Sequence, residues 1–352
     1  MKYITFFYSF VLFCCFSCNE KSKSYYNQPT KIIEQTVWSI KQYENGDILP
    51  KSFIAYNEDE YSYIGYYNAE DKIVKEYRFF SDNFEKPVNL HSYERNSKGL
   101  IEKEEIKSVN EKYDFSNVLI TYKRNLQGEL IEKETKEGDK VVETVIEEYS
   151  PKRVRITLYN GQKTIEEPKF DDKNNLIELH SKTYNEFGLP NDDIWRKFIY
   201  KEGKEVAYIC TGTFDYQQAD MNLNTGEETN PLKKTASLFC IVFTHYDEHG
   251  NIVKEIELQN PSVKECTYPQ EGYLRAFHVK AYNDVNMEII SEGEAYAKKH
   301  LQHNYDKEAW FQFIITSYTY KYNSDGEWVE KIKYIDNTPV YMIKRKIEYI
   351  NN

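Results

Sequence analysis

The chain has 352 residues, of which 32 are tyrosine, and its formal net charge is −11. No run of Lys or Arg interrupts the acidic balance, which argues against a nucleic-acid partner because phosphate binding requires a basic face. The length allows one large domain or two of ordinary size, and the aromatic enrichment favours β-strands.

The first residues have the pattern of an export signal. Met1-Lys2 is a short positive start, and Ile4–Phe16 is an apolar run that is shorter than the roughly 20 residues needed to span a bilayer. The junction Cys15-Phe16-Ser17-Cys18 resembles a bacterial lipobox. The resemblance implies cleavage before Cys18 and a lipid on its thiol, so residues 1–17 are a signal peptide and residues 18–30 a lipidated, flexible tether. An ordinary secretory signal is the alternative.

A tyrosine-containing turn motif recurs through residues 31–352, which we expect to be one hairpin domain or two subdomains divided near residue 205. Degenerate copies start at Tyr67 and Phe170, and a longer form spans residues 93–99 and 122–128. The clearest copies are Tyr184-Asn185-Glu186-Phe187-Gly188, Tyr246-Asp247-Glu248-His249-Gly250 and Tyr322-Asn323-Ser324-Asp325-Gly326.

Each residue of this motif has a structural role. The Tyr ring ends a strand, the Asp or Asn side chain bonds the backbone two residues on, and Gly tolerates the positive φ of the reversal. Several such copies predict a series of β-hairpins.

These units resemble the YD repeats of the Rhs family, most closely at Tyr246–Ile252 and Tyr322–Trp328. The resemblance implies hairpins, whereas the small number of uneven copies argues against the closed shell and toxin domain of true Rhs proteins. We therefore predict a mainly β fold, an extended antiparallel meander of β-hairpin repeats with one helical insertion and one long loop near the C-terminal third.

Three further segments have distinct patterns. Glu292–Gln302 contains good helix formers with Ser291 as a candidate N-cap, and Asp220–Lys234 is a polar, turn-rich loop. The strand Leu238–Tyr246 is apolar on both faces, so we expect the helix to cover one of them. Lys and Glu alternate in Ile101–Lys107, as in solvated strand faces.

Cys210 and Cys240 flank the loop-like insertion and are the expected disulfide pair, with buried free thiols, Cys266 included, as the alternative. His300 and His303 are three residues apart, and with Asp306 they could hold a metal ion, although a solvated helix end is favoured. His245 and His249 fit strand-edge polar positions better than a catalytic site. No residue is assigned a catalytic role, and no cofactor is expected.

The aromatic residues leave two binding modes open. Trp38, Trp195, Trp310 and Trp328, together with the tyrosines, either stack on sugars or form the packed face of the sheet. We predict a non-enzymatic binding or structural lipoprotein of the cell envelope, in the outer membrane, with a protein or glycan partner. A glycan-binding surface lipoprotein and a hydrolase with an unidentified site are the alternatives.

Overall fold

The structure is a computed structural model that describes residues 23–43, 46–55, 60–79, 86–110, 116–149, 153–218, 232–259, 285–300 and 312–350. These residues form two helices, α1 (Lys23–Asn27) and α2 (Met287–His300), and a 19-stranded sheet. The strands are β1 (Lys31–Gln42), β2 (Ile48–Ile54), β3 (Tyr63–Tyr67), β4 (Ile73–Arg78), β5 (Asn89–Arg95), β6 (Ile101–Ser108), β7 (Val118–Arg124), β8 (Leu130–Glu137), β9 (Lys140–Glu148), β10 (Val154–Tyr159), β11 (Gln162–Phe170), β12 (Leu176–Tyr184), β13 (Pro190–Lys201), β14 (Lys204–Gln218), β15 (Leu232–Tyr246), β16 (Ile252–Gln259), β17 (Gln312–Tyr322), β18 (Trp328–Ile335) and β19 (Thr338–Tyr349).

The chain divides into two compact units. Unit 1 takes the described residues up to Ser39, Pro50–Val141 and those from Ile343 onward, and unit 2 takes Ile40–Leu49 and Val142–Met342. The division therefore differs from the one expected near residue 205, because segments from both ends of the described chain belong to unit 1.

In unit 1, each strand from β3 to β8 pairs antiparallel with the next. β1 pairs antiparallel with β3 and also pairs with β19. Arg345 Nε donates to Gln35 Oε1 at 2.9 Å, and Ile350 N donates to Thr30 O at 2.8 Å. The mainly β, antiparallel prediction is confirmed, but the open meander is corrected here: pairing the first strand with the last covers edges that would otherwise expose unpaired backbone groups.

Unit 2 contains the hairpin series from β9 to β18, in which each strand again pairs antiparallel with the next. Several turns here have positive φ at both central residues, as at Asn160-Gly161 (46° and 84°) and Glu202-Gly203 (53° and 80°). Two-residue turns of this kind match the right-handed twist of the strands that they join.

The core of unit 2 lies between α2 and the strands β14, β15 and β16. Fully or almost fully buried side chains form it: Ala207, Ile209, Phe239, Ile241, Phe243, Ile256, Leu258, Ile290, Tyr296 and Ala297. α2 covers β15, as predicted. The helix can approach the strand closely at Gly293, because a Cβ added there would lie only 2.7 Å from Ile241 Cδ1.

The helix begins earlier than the sequence indicated. Asn286 is its N-cap, since Asn286 Oδ1 accepts a hydrogen bond of 2.9 Å from Glu288 N. The hydroxyl of Ser291, the predicted cap, instead donates to Met287 O at 3.1 Å within the helix. Among the described residues, no helix is long and apolar enough to cross a bilayer.

Part of the expected tether is folded onto unit 1. Tyr26 at the end of α1 is 8% exposed, and its carbonyl accepts from Asn68 Nδ2 at 2.8 Å. Asn27 Nδ2 donates to Arg95 O at 3.1 Å, and Arg95 N donates to Asn27 Oδ1 at 3.0 Å. The expected flexible tether therefore contains a folded part, α1, in which the Tyr26 carbonyl and the Asn27 side chain bond to residues of unit 1.

Candidate functional site

The turns of the recurring motif share one hydrogen-bond pattern. In each, the Asx backbone N–H donates to the carbonyl four residues on, and the N–H three residues on donates back to the Asx carbonyl. The Asx side chain accepts at least one further backbone N–H. The turns of this kind begin at Asn68, Asn96, Asn125, Asp171, Asn185, Asp247 and Asn323.

The Asp247 turn illustrates the geometry. Asp247 Oδ1 accepts from Asn251 N at 2.8 Å, and Gly250 N donates to Asp247 O at 3.1 Å. Gly250 has φ +85°, Gly188 +75° and Gly326 +78°. A positive φ of this size is adopted at low cost by glycine and by few other residues.

The residue before the Asx reaches the neighbouring turn. Tyr322 Oη donates to Asp247 Oδ2, and Asn251 Nδ2 donates to Tyr322 Oη at 2.8 Å. The ring of Tyr322 also lies 4.2 Å from that of His249. The structure thus brings together two of the predicted turns, Tyr246–Gly250 and Tyr322–Gly326, in a single polar cluster.

The two longer turns in the sequence are in fact of the ordinary length, with Arg in place of Tyr. Arg95 precedes Asn96, and its Nη1 and Nη2 donate to Gly99 O at 3.2 Å and Ile73 O at 3.1 Å. Arg124 makes the matching bond from Nη1 to Gly128 O at 3.2 Å. In these two turns, the Arg guanidinium therefore has the linking role that the Tyr hydroxyl has elsewhere. Tyr93 and Tyr122 lie within β5 and β7.

The Asp247 cluster is unsuited to acid–base catalysis. Burial, followed by the hydrogen bond to Asp247, raises the pKa of Tyr322, so the phenol stays protonated at neutral pH. Burial alone would raise the pKa of Asp247, but hydrogen bonds from Tyr322 and Asn251 bring it below its ordinary value. A protonated phenol bonded to an ionised carboxylate is a stable structural pair rather than a poised base.

Unit 1 carries a second polar cluster, which we call the unit 1 polar face. Its side chains lie on one face of β1, β3, β4, β5, β6 and β7, since opposite residues in antiparallel strands share a face. Its members are Gln35, Tyr63, Glu76, Arg78, His91, Tyr93, Glu104 and Tyr122.

Charged groups on this face are paired, and each is buried or half-buried. Glu76 is 3% exposed and accepts a hydrogen bond from Arg78 Nε. Arg78 Cζ lies over the Tyr61 ring, 4.5 Å from its centroid. Burial would lower the pKa of Arg78, but the Glu76 carboxylate raises it. Burial and the carboxylates of Glu104 and Glu76 raise the pKa of Tyr93.

The histidine of this face has a carboxylate partner. His91, 5% exposed, has Nδ1 3.3 Å from Glu104 Oε1, and Tyr122 Oη donates to Glu104 Oε2 at 3.5 Å. The prediction that the alternating Lys and Glu residues are solvated holds for one side of the strand only. Lys107 and Glu105 form a 3.0 Å ion pair on the more exposed side, whereas Glu104 points into the polar face.

His300, a weak candidate for a metal ligand that was expected at a solvated helix end, is half-buried and packs against the sheet instead. Its ring lies 4.1 Å from Trp195, and Trp195 stacks on His180 at 3.6 Å between centroids. His180 Nε2 is 2.7 Å from Asp193 Oδ1. His303 and Asp306 lie outside the described residues, and the described residues contain no group of three His, Cys, Asp or Glu side chains placed to hold a metal ion.

Charge and burial both act on His300. Burial, the Lys299 cation, His180 and Lys169 lower its pKa, against the opposing effect of Glu178. Burial and the Glu178 carboxylate raise the pKa of the adjacent Tyr296. The lowered pKa favours the neutral ring at pH 7, in which His300 packs against Trp195 of β13.

Aromatic rings of unit 2 form a partly exposed ladder. Tyr318, Tyr320 and Tyr322 share one face of β17, and the Trp328 ring lies 6.0 Å from Tyr320. Tyr320 Oη donates to Ile252 O at 2.9 Å. Trp38 and Trp195 are likewise half-buried, and Trp310 lies outside the described residues, so the rings are neither fully covered nor fully open.

The remaining sequence candidates are placed as follows. Cys210 and Cys240 are buried free thiols on directly opposite positions of β14 and β15. Cys18, Cys266 and most of the Asp220–Lys234 loop lie outside the described residues. Sequence reasoning missed the unit 1 polar face, although the alternating Tyr61 and Tyr63 stand where β3 begins, with Tyr63 between Gln35 and Arg78 in the register.

No family model and no curated protein sequence matches the chain. Among solved structures, a porin-like protein from Bacteroides vulgatus is 10% identical with a TM-score of 0.29, covering 92% of this chain and 99% of that chain. A porin-like protein from Bacteroides uniformis is 12% identical with a TM-score of 0.25 over the same shares. The Photorhabdus luminescens Tc holotoxin pore is 7% identical, with a TM-score of 0.15 over 80% of this chain and 19% of that chain. At these TM-scores the likeness supports no conclusion about function.

Proposed function

We propose that this chain is a non-enzymatic binding or structural protein of the cell envelope, held at the outer membrane by a lipid on Cys18. The observation that supports it is the bonding of the unit 1 polar face, where the buried Glu76 and His91 are engaged by Arg78 and Glu104. A catalytic acid or base must exchange its proton with a substrate. Side chains that are bonded to each other in this way favour a rigid structural role over proton exchange.

The turns support the same proposal. We regard them as degenerate YD-type hairpin repeats whose Tyr or Arg links each turn to a neighbour, as Tyr322 and Arg95 do. The recurrent side chains therefore have structural partners. Binding is left to the remaining exposed side chains of the sheet and its loops.

The anchor is tested by Cys18→Ser, with Cys15→Ser as the matched control in the same junction. We expect Cys18→Ser to leave the membrane fraction and to lose acyl labelling, while Cys15→Ser keeps both. Membrane retention and labelling of Cys18→Ser equal to wild type would contradict the lipid anchor.

Catalysis is tested by incubating the mature chain with envelope glycan and peptide fractions and following products by mass spectrometry. We expect no product beyond that seen with heat-unfolded protein. A product that forms with wild type and disappears with Glu104→Gln, a variant that keeps the shape of the side chain, would support the hydrolase instead.

Glycan binding is a second candidate, favoured by the partly exposed ladder of Tyr318, Tyr320, Tyr322 and Trp328. Ring faces attract the apolar face of a sugar, and the Tyr320 hydroxyl is already bonded within the sheet. Titration with envelope oligosaccharides should show binding that Trp328→Ala weakens at least tenfold. Trp38→Ala, at a half-buried tryptophan outside the ladder, should leave it unchanged. Equal loss in both variants, or no binding by wild type, would exclude this ladder as the site.

A further inference from the structure

Two thiols face each other across the central hairpin of unit 2. Cys210 on β14 and Cys240 on β15 are partners in the antiparallel register. Both are free, and they are 4% and 7% exposed. Opposite residues in an antiparallel pair have Cα atoms about 4.5–5.5 Å apart, which is within the range that a disulfide spans.

The surroundings distinguish the two thiols. Arg196 on β13 lies opposite Cys210 in the register. The hydrogen bond from Cys240 and the Arg196 guanidinium lower the pKa of Cys210 despite its burial. The same hydrogen bond, together with burial and the Cys210 charge, raises the pKa of Cys240. Cys210 is therefore the stronger candidate for a thiolate, with a second thiol directly beside it.

We propose that Cys210 and Cys240 form a thiol–disulfide pair, in which Cys210 attacks a disulfide oxidant and Cys240 resolves the mixed disulfide into a cross-strand bond. The proposal rests on the envelope location only for the source of the oxidant, since disulfides persist in oxidising compartments.

The chemistry balances with a disulfide as the oxidant. The Cys210 thiolate attacks one sulfur of that disulfide, whose bond breaks and releases the first thiolate. The Cys240 thiol then loses its proton and attacks Cys210 Sγ, which releases the second thiolate. Two cysteine thiols are oxidised, one disulfide is reduced to two thiols, and the protons pass to the departing thiolates.

The bond would fix the register of β14 and β15, which are 15 residues each. Backbone pairing alone does not prevent one strand from slipping along the other. A slip of one residue would move every side chain of that strand to the opposite face of the sheet. A covalent link between Cys210 and Cys240 would prevent that shift in the middle of the β14–β15 ladder, which continues as far as Gln218 and Leu232.

The test uses the full mature chain, reduced and then exposed to a glutathione redox buffer, both folded and during refolding from denaturant. Alkylation and mass spectrometry should show a Cys210–Cys240 linked peptide with Cys266 still alkylated. Cys210→Ser and Cys240→Ser should each abolish the link, and Cys266→Ser should preserve it. Arg196→Gln should slow its formation several-fold, whereas Arg196→Lys should slow it less.

Either of two results would overturn the proposal. In the first, both thiols remain fully alkylated after incubation of the folded protein and after refolding; in the second, the link contains Cys266. Circular dichroism of each reduced variant establishes that it is folded before the comparison is made. Because the assay needs only purified protein and glutathione, its result is independent of the lipid anchor and of any binding partner.

Discussion

The Tyr322 hydroxyl donates a hydrogen bond to the Asp247 carboxylate, which joins two turns that lie 75 residues apart in the sequence. The carboxylate also holds its own turn through Asn251 N at 2.8 Å. One side chain thus organises a turn and ties it to a neighbour, and this relationship leads to the first prediction.

Tyr322→Phe should destabilise unit 2 by about 1 kcal/mol. Hydrogen bonds to charged groups are worth about 1.5–3 kcal/mol, and we place this one lower because the cluster is partly exposed to solvent. Chemical denaturation of wild type and variant measures the difference. Tyr159→Phe, at a ring that is 52% exposed, is the matched control and should change stability little.

The same pair has a pH dependence. The pKa of Asp247 is lowered in the folded state from 3.8, so its contribution is fully present above that value and is lost as pH falls through the lower, folded pKa. The stability difference between wild type and Tyr322→Phe should therefore shrink below about pH 4. A difference that stays constant down to pH 2 would show that the hydroxyl acts independently of the Asp247 charge.

Gly326→Val should destabilise the fold by roughly 1 kcal/mol or more, because a β-branched residue resists positive φ. A Cβ at Gly326 meets no atom within 4 Å, so the cost is conformational rather than steric. Gly326→Asn should cost much less, since Asn174 occupies the same turn position with φ +65°. Gly250→Val should behave like Gly326→Val; equal stability of the Val and Asn variants would contradict the account.

Glu76→Gln should destabilise unit 1 by about 2–3 kcal/mol, because it leaves Arg78 without its carboxylate partner in a buried setting. The estimate lies below the usual range for a broken buried pair because Arg78 is 26% exposed. Glu132→Gln breaks the surface pair with Lys123, which is 63% exposed, and should change the free energy of unfolding far less, because solvent screens exposed pairs. Similar losses in the two variants would mean that the polar face is effectively solvated.

Acidification should loosen α2 through His300. Its pKa is lowered from 6.5 by burial and by nearby cations, so its contribution is fully present above pH 6.5 and is lost as pH falls through the folded pKa. The protection factors of the α2 amides, which are corrected for the intrinsic pH dependence of exchange, should fall in wild type as the pH drops below 6.5. His300→Phe, which keeps a ring against Trp195, should flatten that response, whereas His249→Phe, at a ring 40% exposed, should retain it.

Local features of the fold were predictable from the sequence. Asn160-Gly161 and the Asx-x-x-Gly units determine hairpins through short-range φ preferences and side-chain bonds, which need no distant partner. The helix was predictable in position but not in its first residues, because Asn286 and Ser291 are both acceptable caps and only packing selects between them.

Non-local features were not predictable in the same way. Nothing near Gln35 indicates that Arg345 will pair with it, because strand propensity does not specify a partner. Glu104 and Glu105 are the same residue type in adjacent positions, yet one meets His91 and the other Lys107. An alternation of Lys and Glu predicts a solvated strand face, and only the opposing strand shows which of these side chains are buried.

The pairing of β1 with β19 has a consequence for how the chain matures. Gln35 meets Arg345 only after 310 further residues have been added, so unit 1 cannot complete its ladder during most of synthesis, whereas the hairpins of unit 2 close as they emerge. Contacts so remote in sequence form slowly, and until then the β1 edge stays open to other chains. A chain that ended before Ile343 would lack this part of β19 and would leave the β1 edge open to pairing with other chains.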